Sequence, residues 1–371
     1  MPTTITTSTS QYATAWGKAH LLLFASDGTA LLLYSDGTNY VYSSAVAPYT
    51  AWSAPVALMA PFGGAMTMTH DAVIDASDTV HWVGKGPGTF AVSYAALTYS
   101  AASHTWTAGT LHNIATGGGD YGAPGIVLDP NYATNSRRWV QMYNSGSTAS
   151  IYYSTDGTTW TASITGLTNT YPGTDFDWYG IFTTGNWLVW VRWTGTGFGW
   201  RRLDTTGTLT AWTAETAATV SGATAGTDIA LAVDGNGTGI LVASAPATAA
   251  EYLLAATYNP SADTWTVGST LGASGDNGPS LVRVGGDVYL LWTQFAATNS
   301  YAIAYKKWTA STSTWDASAT QLEASGANRQ WATCFEIPAR GAHGRSDRRE
   351  VLRIFNMDLT WVRYHLWKCH R

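Results

Sequence analysis

The sequence predicts an all-β propeller, and three observations support this prediction. A short polar turn followed by tryptophan recurs at nearly even spacing along the 371 residues. Within each interval, apolar segments rich in β-branched and aromatic residues alternate with Gly, Asn, Asp and Pro turns. Aromatic residues make up 13% of the chain and charged residues only 12%. The charged share is about half that of an ordinary soluble domain, which favours strands that are packed on both faces.

The tryptophan turn is the most regular of these features. It reads PYTAWSAP at Trp52, SHTWTAG at Trp106, GTTWTAS at Trp160, LTAWTAE at Trp212, ADTWTVG at Trp265 and TSTWDAS at Trp315. Successive tryptophans are 50 to 54 residues apart. A repeat of this period is typical of units that bury their faces against one another. We therefore interpret the six tryptophans as structural residues between blades, with a ligand-binding role as the alternative.

Each repeat contains the strands of one propeller blade. In residues 228–265 the segment IALAVD predicts a first strand, GNG a tight turn and TGILVAS a second strand. The segment EYLLAATY predicts a third strand, NPSAD a turn, and the tryptophan opens a fourth. Four antiparallel strands in about fifty residues, repeated along the chain, predict stacked four-stranded blades.

The number of blades is less sharply defined by the sequence. Seven three-strand units can be counted, so the pattern favours seven blades, with six as the alternative. The last unit has no fourth strand after residue 368, and the N-terminal segment TITT can supply one, which would close the ring and remove exposed edges. We predict a single domain over 1–371, with a closing strand in 1–10, six blades in 11–328 and a degenerate, basic last blade in 329–371.

Two turns resemble those of known propeller families. The segment YSTDGTTW at 153–160 resembles the Asp-box, or BNR repeat, of sialidase-like propellers, although it is one residue shorter. The segment TYNPSADTW at 257–265 resembles a kelch turn. The resemblance implies a propeller fold, and we expect Asp156 to fix its own turn by accepting backbone hydrogen bonds. A sialidase would also imply an Arg-Ile-Pro motif near the start, but no arginine precedes Lys85, so no catalytic residue is carried over.

Aspartates recur just before the predicted first strands, at Asp71, Asp120, Asp175, Asp228 and Asp276. The connection into an innermost strand lies at the mouth of the central channel of a propeller, so these acids could form a ring there. They could cap turns, bind calcium or a polar ligand, or supply a carboxylate pair for glycosidic hydrolysis.

Aromatic residues are predicted on the same face as these acids. Exposed rings stack on sugars while carboxylates accept hydrogen bonds from sugar hydroxyls, so the pairing suits a carbohydrate ligand. The loop WTGTGFGW at 193–200 carries three aromatics among glycines, with ordinary blade packing as the alternative. The candidate ligand-binding residues are Asp120, Tyr121, Asp175, Trp178, Trp200, Asp228 and Asp276.

Several other classes of site find no support in the sequence. The two cysteines, Cys334 and Cys369, have neither zinc nor disulfide-framework spacing. The first residues have no signal-peptide pattern, and no apolar run is long enough to cross a membrane. The net charge of −5 argues against a nucleic-acid partner. From Arg329 onward, nine Lys and Arg stand against four Asp and Glu, which predicts a solvated loop or a surface for an acidic partner.

These observations favour binding over catalysis. A Thr-, Ala- and Gly-rich propeller without a leader peptide resembles the surface, tail-fibre and head-fibre proteins of bacteriophages. The first hypothesis is a non-enzymatic virion-surface, host-attachment or structural protein that binds cell-surface carbohydrate, with glycans or other virion proteins as partners. A glycan-degrading enzyme, either a sialidase-like hydrolase or a lyase, and a free extracellular lectin are the alternatives. No cofactor is predicted, apart from the calcium alternative above.

Overall fold

The computed structural model is an all-β propeller of six four-stranded antiparallel blades, as the strand pattern predicts. It describes residues 4–8, 21–36, 38–59, 70–85, 92–115, 122–144, 148–168, 179–194, 196–220, 228–247, 250–297, 300–326, 332–333, 353–356, 362–365 and 367–368. No helix in these ranges has the length and apolar character that a membrane crossing requires.

The first three blades follow one another along the chain. Blade 1 consists of β2 (Leu22–Phe24), β3 (Ala30–Ser35), β4 (Tyr40–Ala45) and β5 (Val56–Met59). Blade 2 consists of β6 (His70–Ile74), β7 (Val80–Lys85), β8 (Val92–Ser100) and a fourth strand split into β9 (Thr105–Ala108) and β10 (His112–Ala115). Blade 3 consists of β11 (Gly122–Leu128), β12 (Arg138–Asn144), β13 (Thr148–Ser154) and β14 (Thr161–Thr168), with the short helix α1 (Tyr132–Asn135) between its first two strands.

The next three blades repeat the same order. Blade 4 consists of β15 (Tyr179–Thr184), β16 (Trp187–Trp193), β17 (Gly197–Asp204) and β18 (Thr216–Thr219). Blade 5 consists of β19 (Asp228–Val233), β20 (Gly239–Ala247), β21 (Ala250–Asn259) and β22 (Thr264–Thr270). Blade 6 consists of β23 (Asn277–Val284), β24 (Asp287–Ala297), β25 (Ser300–Thr309) and a fourth strand split into β26 (Thr314–Trp315) and β27 (Thr320–Gly326).

The antiparallel order gives the propeller two different faces. First strands of neighbouring blades contact each other and therefore surround the axis. The turns between strands 1 and 2, and between strands 3 and 4, lie on what we call the turn face. The connections between strands 2 and 3, and from one blade to the next, lie on the loop face. Asp228 and Asp276, which stand at the start of the first strands of blades 5 and 6, therefore lie on the loop face.

The hydrophobic core is divided among the junctions between blades. Five clusters of buried side chains fill the five junctions from blades 1–2 to blades 5–6. One tryptophan of the repeated turn belongs to each of them or packs against it, in the order Trp106, Trp160, Trp212, Trp265 and Trp315. Trp52 packs against the first cluster as well. The recurring tryptophan thus lies where one blade covers the next, in agreement with the structural interpretation.

The preference for seven blades is corrected to six. The described part of segment 329–371 contributes short strands of two to four residues in place of a four-stranded sheet. They are β28 (Ala332–Thr333), β29 (Arg353–Asn356), β30 (Val362–His365) and β31 (Trp367–Lys368). This segment lacks the repeated tryptophan turn, and charged residues interrupt its apolar pattern, so it cannot bury two sheet faces as the other repeats do. Residues 341–350, the most highly charged part of the basic segment that begins at Arg329, lie outside the described residues.

The N-terminal strand closes onto the C-terminal segment, as the sequence predicts. Strand β1 (Thr4–Ser8) pairs antiparallel with β30, with Thr4 opposite His365 and Ser8 opposite Val362. In addition, β28 contacts β23 and β24 of blade 6. The two ends of the chain are therefore joined by main-chain hydrogen bonds.

Deleting residues 3–8 is expected to lower the thermal unfolding midpoint and to promote aggregation, because β30 would lose its partner and expose an unpaired edge. Differential scanning calorimetry and light scattering would measure both effects. The substitution Thr3→Ala, just outside β1, serves as the control. An unchanged midpoint in the deletion would show that the pairing of β1 with β30 contributes nothing to stability.

Candidate functional site

Two of the predicted loop-face aspartates, Asp71 and Asp276, accept hydrogen bonds from within the protein. Asp276 is fully buried, and its carboxylate accepts hydrogen bonds from Trp292 Nε1 (2.9 Å) and from the Phe295 backbone (2.8 Å). Burial raises the pKa of Asp276 above its ordinary value. Asp71 is also buried and accepts from the Ile126 backbone at 2.9 Å, which links the inner strands of blades 2 and 3. The expectation that Asp276 contacts a ligand is therefore corrected, because both its oxygens already accept hydrogen bonds within the protein.

The aromatic residues of the predicted loop at 193–200 are also buried, in the core between blades 4 and 5. Trp193 and Phe198 are fully buried, and Trp200 is 5% exposed in the core between blades 4 and 5. The indole Nε1 of Trp200 donates to Asp263 at 3.1 Å. Trp200 is thus corrected from a ligand contact to a residue that joins two blades. In the sequence Trp200 stands between Gly199 and Arg201 in a glycine-rich segment, which made it look like an exposed loop aromatic.

The remaining candidate residues are placed only in part. Asp228 is the first residue of β19, as its position before a first strand predicted. Asp120, Tyr121, Asp175 and Trp178 lie outside the described residues. They remain predictions. Among the residues that the structure describes, no group of three or more His, Cys, Asp or Glu side chains could hold a metal ion, so the calcium alternative gains no ligand set there.

The turn at Asp156 has the local geometry expected from the sequence. Its carboxylate Oδ1 accepts from the backbone N–H groups of Thr158 and Thr159, both at 2.8 Å, and from Ser154 Oγ at 2.9 Å. These hydrogen bonds lower the pKa of Asp156. The residue lies on the turn face and serves its own hairpin.

Aspartates on the turn face, which the sequence did not single out as a set, join the blades. One of them serves each of the five junctions: Asp27 for blades 1–2, Asp75 for blades 2–3, Asp129 for blades 3–4, Asp263 for blades 4–5 and Asp234 for blades 5–6. At the last of these, Trp308 Nε1 of blade 6 donates to Asp234 at 3.0 Å. At blades 3–4 the link is indirect, because Asp129 binds Arg137, which donates to the Thr205 carbonyl. The turn face is thus occupied by structural hydrogen bonds.

A buried polar network at blades 2–3 is the most extensive of these links. His81 lies between Tyr94 OH (2.7 Å from Nδ1) and Asp75 Oδ2 (3.1 Å from Nε2). Arg138 donates to Tyr94 OH at 2.8 Å. Because Arg138 can only donate, Tyr94 OH accepts from it and gives its own proton to His81 Nδ1, which leaves Nε2–H to donate to Asp75. His81 accepts from Tyr94 at Nδ1 and donates to Asp75 from Nε2 only while its imidazole is neutral.

The network resembles a catalytic chain in composition, but its setting is structural. His81 and Tyr94 are 3% and 2% exposed. Burial lowers the pKa of His81 and raises that of Tyr94. Burial acts to raise the pKa of Asp75, but the hydrogen bonds from His81 and from the backbone of Thr79 and Ser77 together hold it below its ordinary value. A substrate could not reach these groups without separating blades 2 and 3.

A groove between blades 3 and 4 has a different character. Arg192 on β16 donates to Glu215 through Nη2 (2.6 Å) and Nε (3.3 Å), which is a bidentate ion pair. Arg201 on β17 extends the pair, with its Nε 3.9 Å from the same carboxylate. The side chains of Arg201 and Glu215 are 30% and 22% exposed, whereas that of Arg192 is 10% exposed. The ion pair therefore extends from the partly exposed Arg201 and Glu215 to the largely buried guanidinium of Arg192.

The blade faces around this ion pair follow from strand register. Arg192 lies opposite Tyr179 and Gly199 on its neighbouring strands. A Cβ at Gly199 would lie 2.6 Å from Glu215 Oε1, so the glycine makes room for the carboxylate. Tyr179 belongs to the core cluster of blades 3–4, and Gln141 shares a strand face with Trp139 of the same cluster. We define the blade 3–4 groove as Arg192, Gly199, Arg201 and Glu215 from blade 4, with Gln141 facing them from blade 3.

Polar atoms in the blade 3–4 groove are left without partners. No described residue accepts a hydrogen bond from the buried Nη1 of Arg192, and none donates to the buried Oε1 of Gln141. Such orphaned groups are uncommon in folded proteins and are often satisfied by a ligand or by water. The sequence signal was an isolated arginine in the strand WLVWVRW, in a chain with only 19 Lys and Arg, and our sequence analysis missed it.

Comparison with known proteins supports the architecture. No protein-family model matches the sequence, and no curated protein sequence does so. The fold is similar to that of an ulvan lyase, a polysaccharide lyase bound to -[GlcA(1-4)Rha3S]-, with a TM-score of 0.64 over 95% of this chain and 96% of that chain, at 11% identity. A lectin from Burkholderia pseudomallei gives a TM-score of 0.62 over 97% and 100% of the two chains, at 11% identity.

A third solved structure has a similar fold with a lower TM-score. AofleA from Arthrobotrys oligospora has a TM-score of 0.53 over 87% of this chain and 95% of that chain, at 11% identity. At these identities the likeness concerns the fold and not the site. The chain is a β-propeller, and its function has to be argued from its own residues.

Proposed function

We propose that this protein binds carbohydrate, without cleaving it, in the blade 3–4 groove. The observation that carries the proposal is the Arg192–Glu215 pair, in which a buried guanidinium keeps one N–H group free of any partner among the described residues. Charged donors and acceptors held in fixed geometry are suited to sugar hydroxyls, which both donate and accept. Tyr179, Trp139 and Leu188 belong to the buried core of the same blade junction.

The similar structures support a carbohydrate ligand. One is a lectin and another is a polysaccharide lyase bound to a saccharide. Both are different proteins, but each shares this fold over nearly the full length of the chain. They support the choice of sugars as the first ligand class to test.

We further propose that the protein acts at the surface of a virus particle. The Thr-, Ala- and Gly-rich composition, with 12% charged residues, favours a virion-surface or host-attachment protein that binds cell-surface glycan. A free lectin and a glycan-degrading enzyme are the alternatives. Mass spectrometry of purified virus particles would detect the protein if it belongs to the virion, and its absence from the particles would favour the free lectin.

The substitution Arg192→Gln is expected to weaken glycan binding by about tenfold or more, since a hydrogen bond to a charged group contributes roughly 1.5–3 kcal/mol. A glycan array with the intact chain, followed by calorimetric titration of the best ligand, would measure the loss. Lys306→Gln removes the same charge from blade 6 and serves as the control.

The same ligands also test the absence of turnover. Incubation with the bound polysaccharide should release neither reducing ends nor unsaturated products that absorb in the ultraviolet. Release of either product by the intact chain would establish an enzyme and contradict binding without cleavage. Equal binding by the Arg192→Gln variant and the unaltered protein would place the site elsewhere.

A further inference from the structure

We infer that the blade 3–4 groove selects an anionic sugar, one that carries a carboxylate or a sulfate ester. This inference rests on the proposed function, because it assigns a ligand class to the same groove. Two guanidinium groups, those of Arg192 and Arg201, face a single carboxylate, that of Glu215. The three groups together carry one excess positive charge in a protein whose net charge is −5.

The excess charge is partly buried. The carboxylate of Glu215 accepts hydrogen bonds from Nε and Nη2 of Arg192. The remaining nitrogen, Nη1, is a buried donor without an acceptor in the described chain. The Nε atom of Arg201 is likewise buried and has no hydrogen-bond acceptor in that part of the molecule, although it is 3.9 Å from Glu215. Burying charged donors without partners is costly, and an anion that accepts from both would remove this cost.

An anion would approach the pair from its partly exposed end, near Arg201. The space beside Gly199 is already filled by Glu215, because a Cβ at that position would lie 2.6 Å from Glu215 Oε1. Arg201 and Glu215 are partly exposed, so the groove is open to solvent at this point. Because guanidinium binds carboxylate and sulfate through paired N–H groups, both kinds of anionic sugar fit the same donors.

Glu215 distinguishes an anionic ligand from a neutral one. If the ligand is a neutral sugar, Glu215 accepts hydrogen bonds from its hydroxyls, and removing the charge weakens binding. If the ligand is anionic, the carboxylate of Glu215 competes with it for the same arginines and repels it. The substitution Glu215→Gln is then expected to maintain or increase the affinity for an anionic sugar.

The experiment uses two matched pairs of probes. Oligogalacturonate and its fully methyl-esterified form differ only in the carboxylate charge, and κ-carrageenan and agarose oligosaccharides differ chiefly in the sulfate. Calorimetric titration with the full chain is expected to give at least tenfold tighter binding for the charged member of one pair or both, and the pair that responds identifies carboxylate or sulfate as the group bound. Arg201→Gln, at a partly exposed position, should remove most of this preference, and Lys306→Gln should retain it. Raising the salt concentration should weaken binding of the charged probe only.

The outcomes separate the inference from the proposed function. Equal binding of charged and neutral probes, or a tenfold loss of charged-probe affinity in Glu215→Gln, overturns the inference and leaves carbohydrate binding standing. If none of the four probes binds, the inference is overturned, and the glycan array then decides the proposed function separately. Thermal midpoints of Arg201→Gln and Glu215→Gln within about 2 °C of the unaltered protein would show that both variants are folded.

Discussion

Replacing Trp265 with alanine is expected to lower the free energy of unfolding by roughly 3–5 kcal/mol, the range for truncating a large buried aromatic. The indole lies at the junction of blades 4 and 5, with its ring centroid 5.3 Å from that of Phe198 and 5.2 Å from that of Tyr258. Its Nε1 atom has no hydrogen-bond partner in the described chain, so the loss comes from packing alone. Guanidinium-induced unfolding followed by circular dichroism would measure it.

Two further substitutions sharpen this test. Trp265→Phe keeps most of the apolar contact and should cost less than half as much as alanine. Trp315→Ala, at the equivalent turn of blade 6, removes a ring that is only partly buried and should also cost less. If Trp265→Ala left stability unchanged but abolished glycan binding, the repeated tryptophan would be a binding group, and the structural interpretation would be wrong.

Acidification is expected to destabilise the protein well before its carboxylates titrate. Burial lowers the pKa of His70 to about 3 and also lowers that of His81, from an ordinary value of 6.5. Between pH 6.5 and these lowered values the unfolded chain binds protons that the native state excludes. Stability is therefore complete above about pH 6.5 and falls as the pH decreases, by up to roughly 1.4 kcal/mol per pH unit for each histidine kept neutral.

The two histidines lie in different surroundings, which allows the effect to be assigned. His70 accepts a hydrogen bond from Trp82 Nε1 at 3.1 Å and packs against Tyr40 between blades 1 and 2. His81 belongs to the polar network with Asp75, Tyr94 and Arg138. The substitutions His70→Gln and His81→Gln should each reduce the dependence of unfolding free energy on pH between 4 and 6.5.

A second decline in stability is expected at lower pH, where carboxylates protonate. Burial acts to raise the pKa of Asp27 and Asp75, but hydrogen bonds outweigh it and hold the pKa of Asp75 below its ordinary value and that of Asp27 at about 2. Their contribution is present above about pH 4 and is lost as these carboxylates protonate.

Identical pH profiles for the unaltered protein and both histidine variants would contradict the assignment of the first decline to His70 and His81.

The strand repeat could be predicted from the sequence because it is encoded locally. Each blade places one tryptophan turn after its third strand, and the turn residues recur with the same spacing whatever the neighbouring blade contains. Closure by Thr4–Ser8 could be predicted for the same reason, since a missing strand at one end matched a spare strand at the other. The blade number was not fixed in this way, because segment 329–371 contains short strand-like stretches that do not complete a four-stranded sheet.

The candidate site was harder to predict, because burial depends on contacts between distant residues. Asp276 looks like an exposed loop acid in the sequence, yet its carboxylate accepts from Trp292 on the neighbouring strand. Trp200 looks like a loop aromatic in the sequence, yet its indole Nε1 donates a hydrogen bond to Asp263 of the next blade. Neither partner lies within ten residues, so no local pattern could have shown that these groups were already engaged.

The sequence by itself determined the all-β architecture, the period of the blades, the place of the tryptophans between them and the closure by the first strand. These features depend on alternation of apolar residues and on turn chemistry, which act over a few residues. Only the tertiary structure decided which polar groups serve the fold and which remain free. It pairs Arg192 with Glu215, 23 residues further along the chain, and leaves one guanidinium nitrogen without a partner among the described residues. Whether a charged group is satisfied depends on what the neighbouring strands and blades bring to it, and that information is absent from any single repeat.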